Sequence, residues 1–142
     1  MVGVIDVGTD FSGMEMPVIA LRKLNVRHRH VFSSDNNKAC RKLIKHVFKP
    51  KRLYKDVVVR NVHTTPGCDL YTSGFPCQAY SSLGKGLGVN DKRGCLVKYS
   101  IQYIRVHKPR CVLMENVKGL AFRRHRTVLK RIVHHLTNFG NA

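Results

Sequence analysis

Acidic residues are scarce in this 142-residue chain: eight Asp and Glu stand against 26 Lys and Arg, a formal net charge of +18. Such a balance self-repels unless something neutralises it, so the expected partner is a polyanion, with nucleic acid first among them. Each acid that is present needs a reason, and most fall beside a strand or in a turn. The five cysteines include no C-x-x-C pair, which argues against a thiolate zinc site and against a disulfide framework. Free thiols fit a reducing compartment. The eight histidines, His28, His30, His134 and His135 among them, are scattered and read as surface groups, so no metal is expected. No run of 18 apolar residues exists, so no membrane span is expected. Met1 to Ile5 reads as a strand and not as a signal peptide. There is no internal repeat and no low-complexity tract.

What is present is a chain of single-domain size with 43% hydrophobic residues, enough to bury a core. Val2 to Val7 reads as a buried first strand, and Gly8 to Gly13 as a turn with two glycines. Met14 to Leu24 follows as a helix with Pro17 in its first turn. The turn is neither a Gly-x-Gly-x-x-Gly fingerprint nor a phosphate loop, but strand, Gly turn and helix open a nucleotide-type site. His30 to Ser34 is a second strand. Asp35 emerges at its carboxyl end, where an acid either accepts from ribose hydroxyls or caps the helix that begins at Asn36 or Asn37. That helix has Ala39, Leu43, Val47 and Cys40, Ile44, Phe48 on its apolar side.

Asp56 to Val59 reads as the third strand and Asp69 to Ser73 as the fourth. The fourth breaks at Gly74, turns through Phe75 and Pro76, and presents Cys77. A cysteine past the carboxyl end of a strand is either a small buried thiol or a nucleophile. Ser82 to Gly94 holds four glycines with Lys85, Lys92 and Arg93, and reads equally as a lid or as a surface connection. Cys95 to His107 is a helix stopped before Pro109. Cys111 to Met114 is the fifth strand, delivering Glu115 and Asn116. A basic connection leads to a last helix, Thr127 to Phe139. The order β-α-β-α-β-β-α-β-α means an α/β fold with a Rossmann-like, doubly wound, mostly parallel sheet.

Gly74-Phe75-Pro76-Cys77-Gln78-x-x-Ser81 followed by Glu115-Asn116-Val117 resembles the cytosine-5 DNA methyltransferases. The resemblance extends to Phe11-Ser12-Gly13, Asp35, Asp56 and Asp91-x-Arg93-Gly94-x-Leu96, and so to essentially the whole chain. It implies an S-adenosyl-L-methionine-dependent methyltransferase fold, with residues 1–142 as part of the catalytic domain. Phe11, Ser12 and Gly13 would line the cofactor pocket, Asp35 would hold the ribose, and Asn36 would lie near the adenine. Asp56 and Val57 would meet the adenine edge, and Pro76 and Leu96 would complete the wall. Cys77 would add to carbon 6 of a flipped cytosine, and Glu115 would hold its N3 and amino group. Gln78, Ser81, Lys85 and Arg93 would contact the DNA strand.

Two departures stand out. Glu15 occupies a place where the family carries another glycine, and so is expected to narrow the cofactor pocket. The family's last strands and target-recognition region have no counterpart here, so activity would either need a second chain or be weak and unspecific, and the Cys111–Met114 strand would carry an unpaired apolar edge. Two other readings stay open: a non-catalytic nucleic-acid-binding remnant, and an RNA cytosine-5 methyltransferase. The sequence names no compartment; the resemblance implies an intracellular one, the nucleus if the source is eukaryotic.

Overall fold

The computed structural model describes residues 3–76 and 96–138. Five strands form one all-parallel sheet: β1 (Ile5–Asp10), β2 (His28–Ser34), β3 (Arg52–Tyr54), β4 (Leu70–Ser73) and β5 (Cys111–Met114), in the order β3-β2-β1-β4-β5. The helices are α1 (Met16–Lys23), α2 (Lys38–Leu43), α3 (Val97–His107) and α4 (Arg126–Thr137). The chain winds outward from β1 to β3, then resumes on the other side of β1 with β4 and β5. That reversal between β1 and β4 is the topological switch point of a doubly wound sheet. Among the described residues two compact units are distinguished: 3–74 with 109–114, which holds the whole sheet, and 75–76 with 96–108 and 115–138.

In the first unit β1 runs three residues further than its apolar run, so Gly8, Thr9 and Asp10 are strand and not turn. Gly8 explains the difference. A Cβ on Gly8 would stand 2.1 Å from Cε1 of Phe32, and the β1–β2 register shifts between Val7 and Gly8. The Phe32 ring thus fills the side-chain space of the strand opposite. Below it, Val7, Val18 of α1 and Phe48 form a core with Ile5, Ile19, Leu21, Leu43 and Leu70 around them. Each fully buried aliphatic side chain contributes about 1.5–3 kcal/mol relative to exposure.

Helix α2 is capped by Asn37, whose Oδ1 accepts from the N–H of Ala39 at 2.8 Å and of Cys40 at 3.3 Å. It continues as a π-helical turn, Ile44–Phe48, that ends with Lys49 at φ 50°. The wider turn buries Ile44 and Phe48 but leaves Val47 51% exposed, so Val47 is not on the apolar side as expected.

The third strand is Arg52–Tyr54, and the expectation of strand over Asp56–Val59 is corrected: those residues form a turn. Asp56 Oδ1 accepts from the Val58 N–H at 2.9 Å, an Asx turn that competes with a sheet ladder. Val57 is buried, while Val58 and Val59 point outward. Strand β5 pairs with β4 and stands at the sheet edge, with Leu113 55% exposed.

In the second unit α3 buries Val97, Ile101, Tyr103 and Ile104 and stops at Lys108, which turns left-handed (φ 46°) before Pro109. Two 3₁₀ turns, Lys118–Ala121 and Arg123–His125, lead into α4, which packs on them and on α3.

Candidate active site

The carboxyl ends of the central strands are polar and buried: Thr9 and Asp10 on β1, Ser33 and Ser34 on β2, Thr72 and Ser73 on β4. Buried polar groups persist where they are hydrogen-bonded, and here the Thr9 hydroxyl and the Ser34 backbone bond to the turn that follows β1. That turn places Phe11, Gly13 and Glu15 at φ 53°, 53° and 57°. Left-handed backbone at two non-glycine residues costs about 1 kcal/mol or more each and is over-determined by its surroundings. Asp35, just past β2, accepts from the Gly13 N–H through Oδ2 and from the Asn37 N–H through Oδ1, both at 2.8 Å. One carboxylate thus joins the β1 turn to the start of α2. The Ser12 N–H donates to the Ser34 carbonyl at 3.1 Å, and the Ser34 N–H returns to Ser12 Oγ at 3.2 Å. A Cβ on Gly13 would meet none of the described residues within 4 Å, so among them the turn is open at that residue. Asn36 is exposed beside Asp35, and Asp56 and Val57 follow β3.

Glu15 lies beneath this turn, fully buried. Its Oε1 accepts from Thr9 Oγ1 at 2.9 Å and from Ser33 Oγ. His30 Nε2 stands 3.5 Å from the same oxygen and 2.9 Å from Ser33 Oγ. Burial pushes the Glu15 carboxyl up to about 7, and burial together with His28 and Arg22 pulls the His30 imidazole down to about 4. The side chain is tucked under the turn and bonded to the strands on either side of it.

A second buried group sits at the end of β1. Asp10 takes a two-pronged ion pair from Arg60, Nη1 to Oδ1 and Nη2 to Oδ2 at 2.8 Å, and a 2.6 Å hydrogen bond from the Tyr71 hydroxyl. The Arg60 guanidinium lies 5.2 Å from the Phe32 ring centre and 5.5 Å from that of Tyr54. Burial raises the Asp10 pKa, and Arg60 and Tyr71 pull it back.

In the second unit Asn116 Nδ2 donates to the Phe75 carbonyl at 2.9 Å, and its Oδ1 accepts from the Val117 N–H. The residue after Glu115 is therefore bonded to the residue before Pro76. Glu115 is exposed, and Pro76 and Leu96 are half-buried. Cys77, Gln78, Ser81, Lys85 and Arg93 lie outside the described residues.

The structure thus brings together Phe11, Ser12, Gly13 and Asp35. Sequence reasoning missed Arg60, an isolated arginine whose partner is fifty positions away, and the bonded role of Glu15. The signal for Glu15 was an acid in a glycine position on an acid-poor chain.

The fold is that of the S-adenosylmethionine-dependent methyltransferases. A variant of DNMT2 from Spodoptera frugiperda matches over 94% of this chain and 41% of its own, with a TM-score of 0.68 and 24% identity. A putative DNA modification methyltransferase encoded within an Escherichia coli prophage matches over 94% and 38%, with a TM-score of 0.73 and 15% identity. At the level of sequence, the model of the C-5 cytosine-specific DNA methylases matches residues 8–141. This chain belongs to that family. Its relatives include the type II methyltransferases M.NlaIV of Neisseria lactamica, 35% identical over 71% of this chain, and M.DsaV of Dactylococcopsis salina, 34% identical over 82%. The chain spans 24% and 31% of those two proteins.

Proposed function

We propose that this chain carries the cofactor turn and the nucleophile for methyl transfer to carbon 5 of cytosine in DNA. The observation that carries the reading is the β1 turn, tied through the Gly13 N–H to Asp35 and, among the described residues, open at Gly13, in a chain of this family. These residues fit S-adenosyl-L-methionine: Phe11, Ser12 and Gly13 offer backbone at a strand end, and Asp35 offers a fixed carboxylate for hydroxyls. Asn36, Asp56 and Val57 stand at the ends of the neighbouring strands, and Pro76 and Leu96 are assigned by the family pattern alone. When bound, the cofactor supplies an electrophilic methyl group to carbon 5.

Cys77 acts as a thiolate that bonds to carbon 6 of the flipped base, making carbon 5 electron-rich. Glu115 hydrogen-bonds the ring N3 and amino group, stabilising the charge that develops there. After transfer, loss of the carbon 5 proton expels the thiolate and restores the ring. Gln78, Ser81, Lys85 and Arg93 hold the strand, and the +18 charge favours the polyanion.

The test is a titration with S-adenosylmethionine followed by calorimetry and thermal melting, with 5-fluorocytosine DNA as a covalent trap. Saturable binding, and an adduct lost in Cys77→Ala, support the reading. An adduct that survives Cys77→Ala removes Cys77 from the chemistry. DNA binding of ordinary salt dependence that never responds to cofactor favours a non-catalytic nucleic-acid-binding role. Transfer RNA as a better methyl acceptor than duplex DNA moves the substrate to RNA.

A further inference from the structure

Glu15 combines three features that a filler residue would not need. It takes a left-handed backbone conformation (φ 57°, ψ 42°) that favours glycine. It buries a carboxyl completely. It also spends its hydrogen bonds on both sides of the β1 turn, on Thr9 of β1 and Ser33 of β2.

The direction of each bond follows from the first. The Thr9 and Ser33 hydroxyls both donate to Glu15 Oε1, so neither has a proton left for its other neighbour. Ser33 Oγ must then accept from His30 Nε2–H, which fixes the imidazole tautomer. Ser12 Oγ lies 2.8 Å from Thr9 Oγ1 and 3.1 Å from each of the Thr9 and Ser34 carbonyl oxygens, which are the other acceptors open to its one proton. The result is a network with the carboxylate as the common acceptor: His30 to Ser33 to Glu15 on one side, and on the other Thr9 to Glu15, with Ser12 packed against the Thr9 hydroxyl. Ser12 is the member that belongs to the cofactor turn.

We propose that Glu15 is a positioning residue of this turn, whose ionised carboxylate orients Thr9 and through it Ser12 into the arrangement that receives the cofactor. The proposal rests on the cofactor reading above and adds a proton link to it. Protonation would fall on Oε2, which finds no hydrogen-bond partner among the described residues, so the new O–H has no acceptor there and Oε1 weakens as one. The charged and titratable groups around the pair are Asp35, which favours the protonated carboxyl, and His28 and Arg22, which act on His30. His30, held down at about 4, stays neutral across the range in which Glu15, at about 7, changes state.

The experiment measures S-adenosylmethionine affinity by calorimetry between pH 5.5 and 8.5, in buffers of different ionisation enthalpy. In the native chain affinity falls about tenfold from pH 8 to pH 6, and binding near pH 7 releases about half a proton. Glu15→Gln binds more weakly, with a flat profile and no proton release. Amide hydrogen exchange of Ser12 and Ser34 in the free protein is read in parallel. Their protection, corrected for intrinsic rates, falls with pH in the native chain and is low throughout in Glu15→Gln. Thr9→Val, which leaves Glu15 in place and removes the hydroxyl bonded to both Glu15 and Ser12, serves if Glu15→Gln does not fold; it is expected to lose Ser12 protection. An unchanged pH profile in Glu15→Gln, or unchanged Ser12 and Ser34 protection in either variant, overturns the proposal. A chain that binds no cofactor, yet shows the exchange pattern, overturns the cofactor reading and leaves Glu15 as the organiser of the turn.

Discussion

Replacing Arg60 by Met tests the buried ion pair at the end of β1. In the native chain Asp10 is 1% exposed and the Arg60 side chain 2%, with both guanidinium Nη atoms on the carboxylate. Removing one partner of such a pair strands a buried charge and costs about 3–5 kcal/mol, whereas removing both together is often close to neutral. Domains of this size have about 5–15 kcal/mol in total, so Arg60→Met is expected to leave a marginal fold. With a urea dependence of about 2 kcal/mol per molar, the unfolding midpoint shifts down by about 1.5–2.5 M. Asp10→Asn with Arg60→Met should regain most of that loss, giving a coupling of about 3 kcal/mol in the double-mutant cycle.

The pH dependence is a second reading of the same pair. Burial already raises Asp10, and without Arg60 the Tyr71 hydroxyl is what opposes it among the described residues. A raised carboxyl contributes stability at low pH that is lost as pH rises, so the damage in Arg60→Met should shrink as pH falls from 7.5 to 5. Urea unfolding at several pH values measures both effects. Additive single-mutant costs with no pH trend would refute the reasoning, because the Asp10 charge would then not depend on Arg60.

Three further outcomes are expected. Glu15, raised from 4.5 to about 7, gives stability present at low pH and lost as pH rises; His30, lowered from 6.5 to about 4, gives stability present above 6.5 and lost as pH falls. At about 3 kcal/mol each they cancel between pH 4.5 and 6.5, so native stability is flat there, while Glu15→Gln makes it fall with falling pH in urea titrations. Asp35→Ala removes the charged acceptor of the Gly13 N–H, worth about 1.5–3 kcal/mol, and should weaken S-adenosylmethionine binding at least about tenfold by calorimetry. Asn37→Ala deletes the cap of α2 and should cost about 1 kcal/mol in the same urea titrations, with cofactor affinity unchanged.

Much of the architecture was legible because apolar runs and turn residues agree along the chain. Cys111–Met114 stands where its four apolar residues lie, and Asp35 emerges from β2 as its place after Ser34 suggests. The misplaced strands share one cause. Val57-Val58-Val59 has high strand propensity, yet the Asp56 side chain claims the Val58 N–H and turns the chain first. At β1 the reverse occurs: Gly8 reads as a turn residue, but the ring opposite needs its missing side chain. Both are decided by a neighbour's side chain, which periodicity does not carry. The place of Asp35 after a strand was legible, but its bond from the Gly13 N–H was not. Nor was the pairing of Arg60 with Asp10 and of Glu15 with Ser33, since those partners lie fifty and eighteen positions away; position 15 was marked only by an acid in place of a glycine.

The interlock of Gly8 and Phe32 has a consequence for how this sequence can change over time. Any side chain at position 8 collides with the ring, so the glycine cannot be exchanged while Phe32 remains. Phe32 also flanks the Arg60 guanidinium and lies edge-on to Tyr54 at 6.3 Å. A smaller residue at 32 must therefore come first, and it passes through an intermediate with a hollow beneath the ion pair. The accessible route between such sequences is ordered, ring before glycine, and its first step is the costly one. Families that vary at these positions should show them changing together.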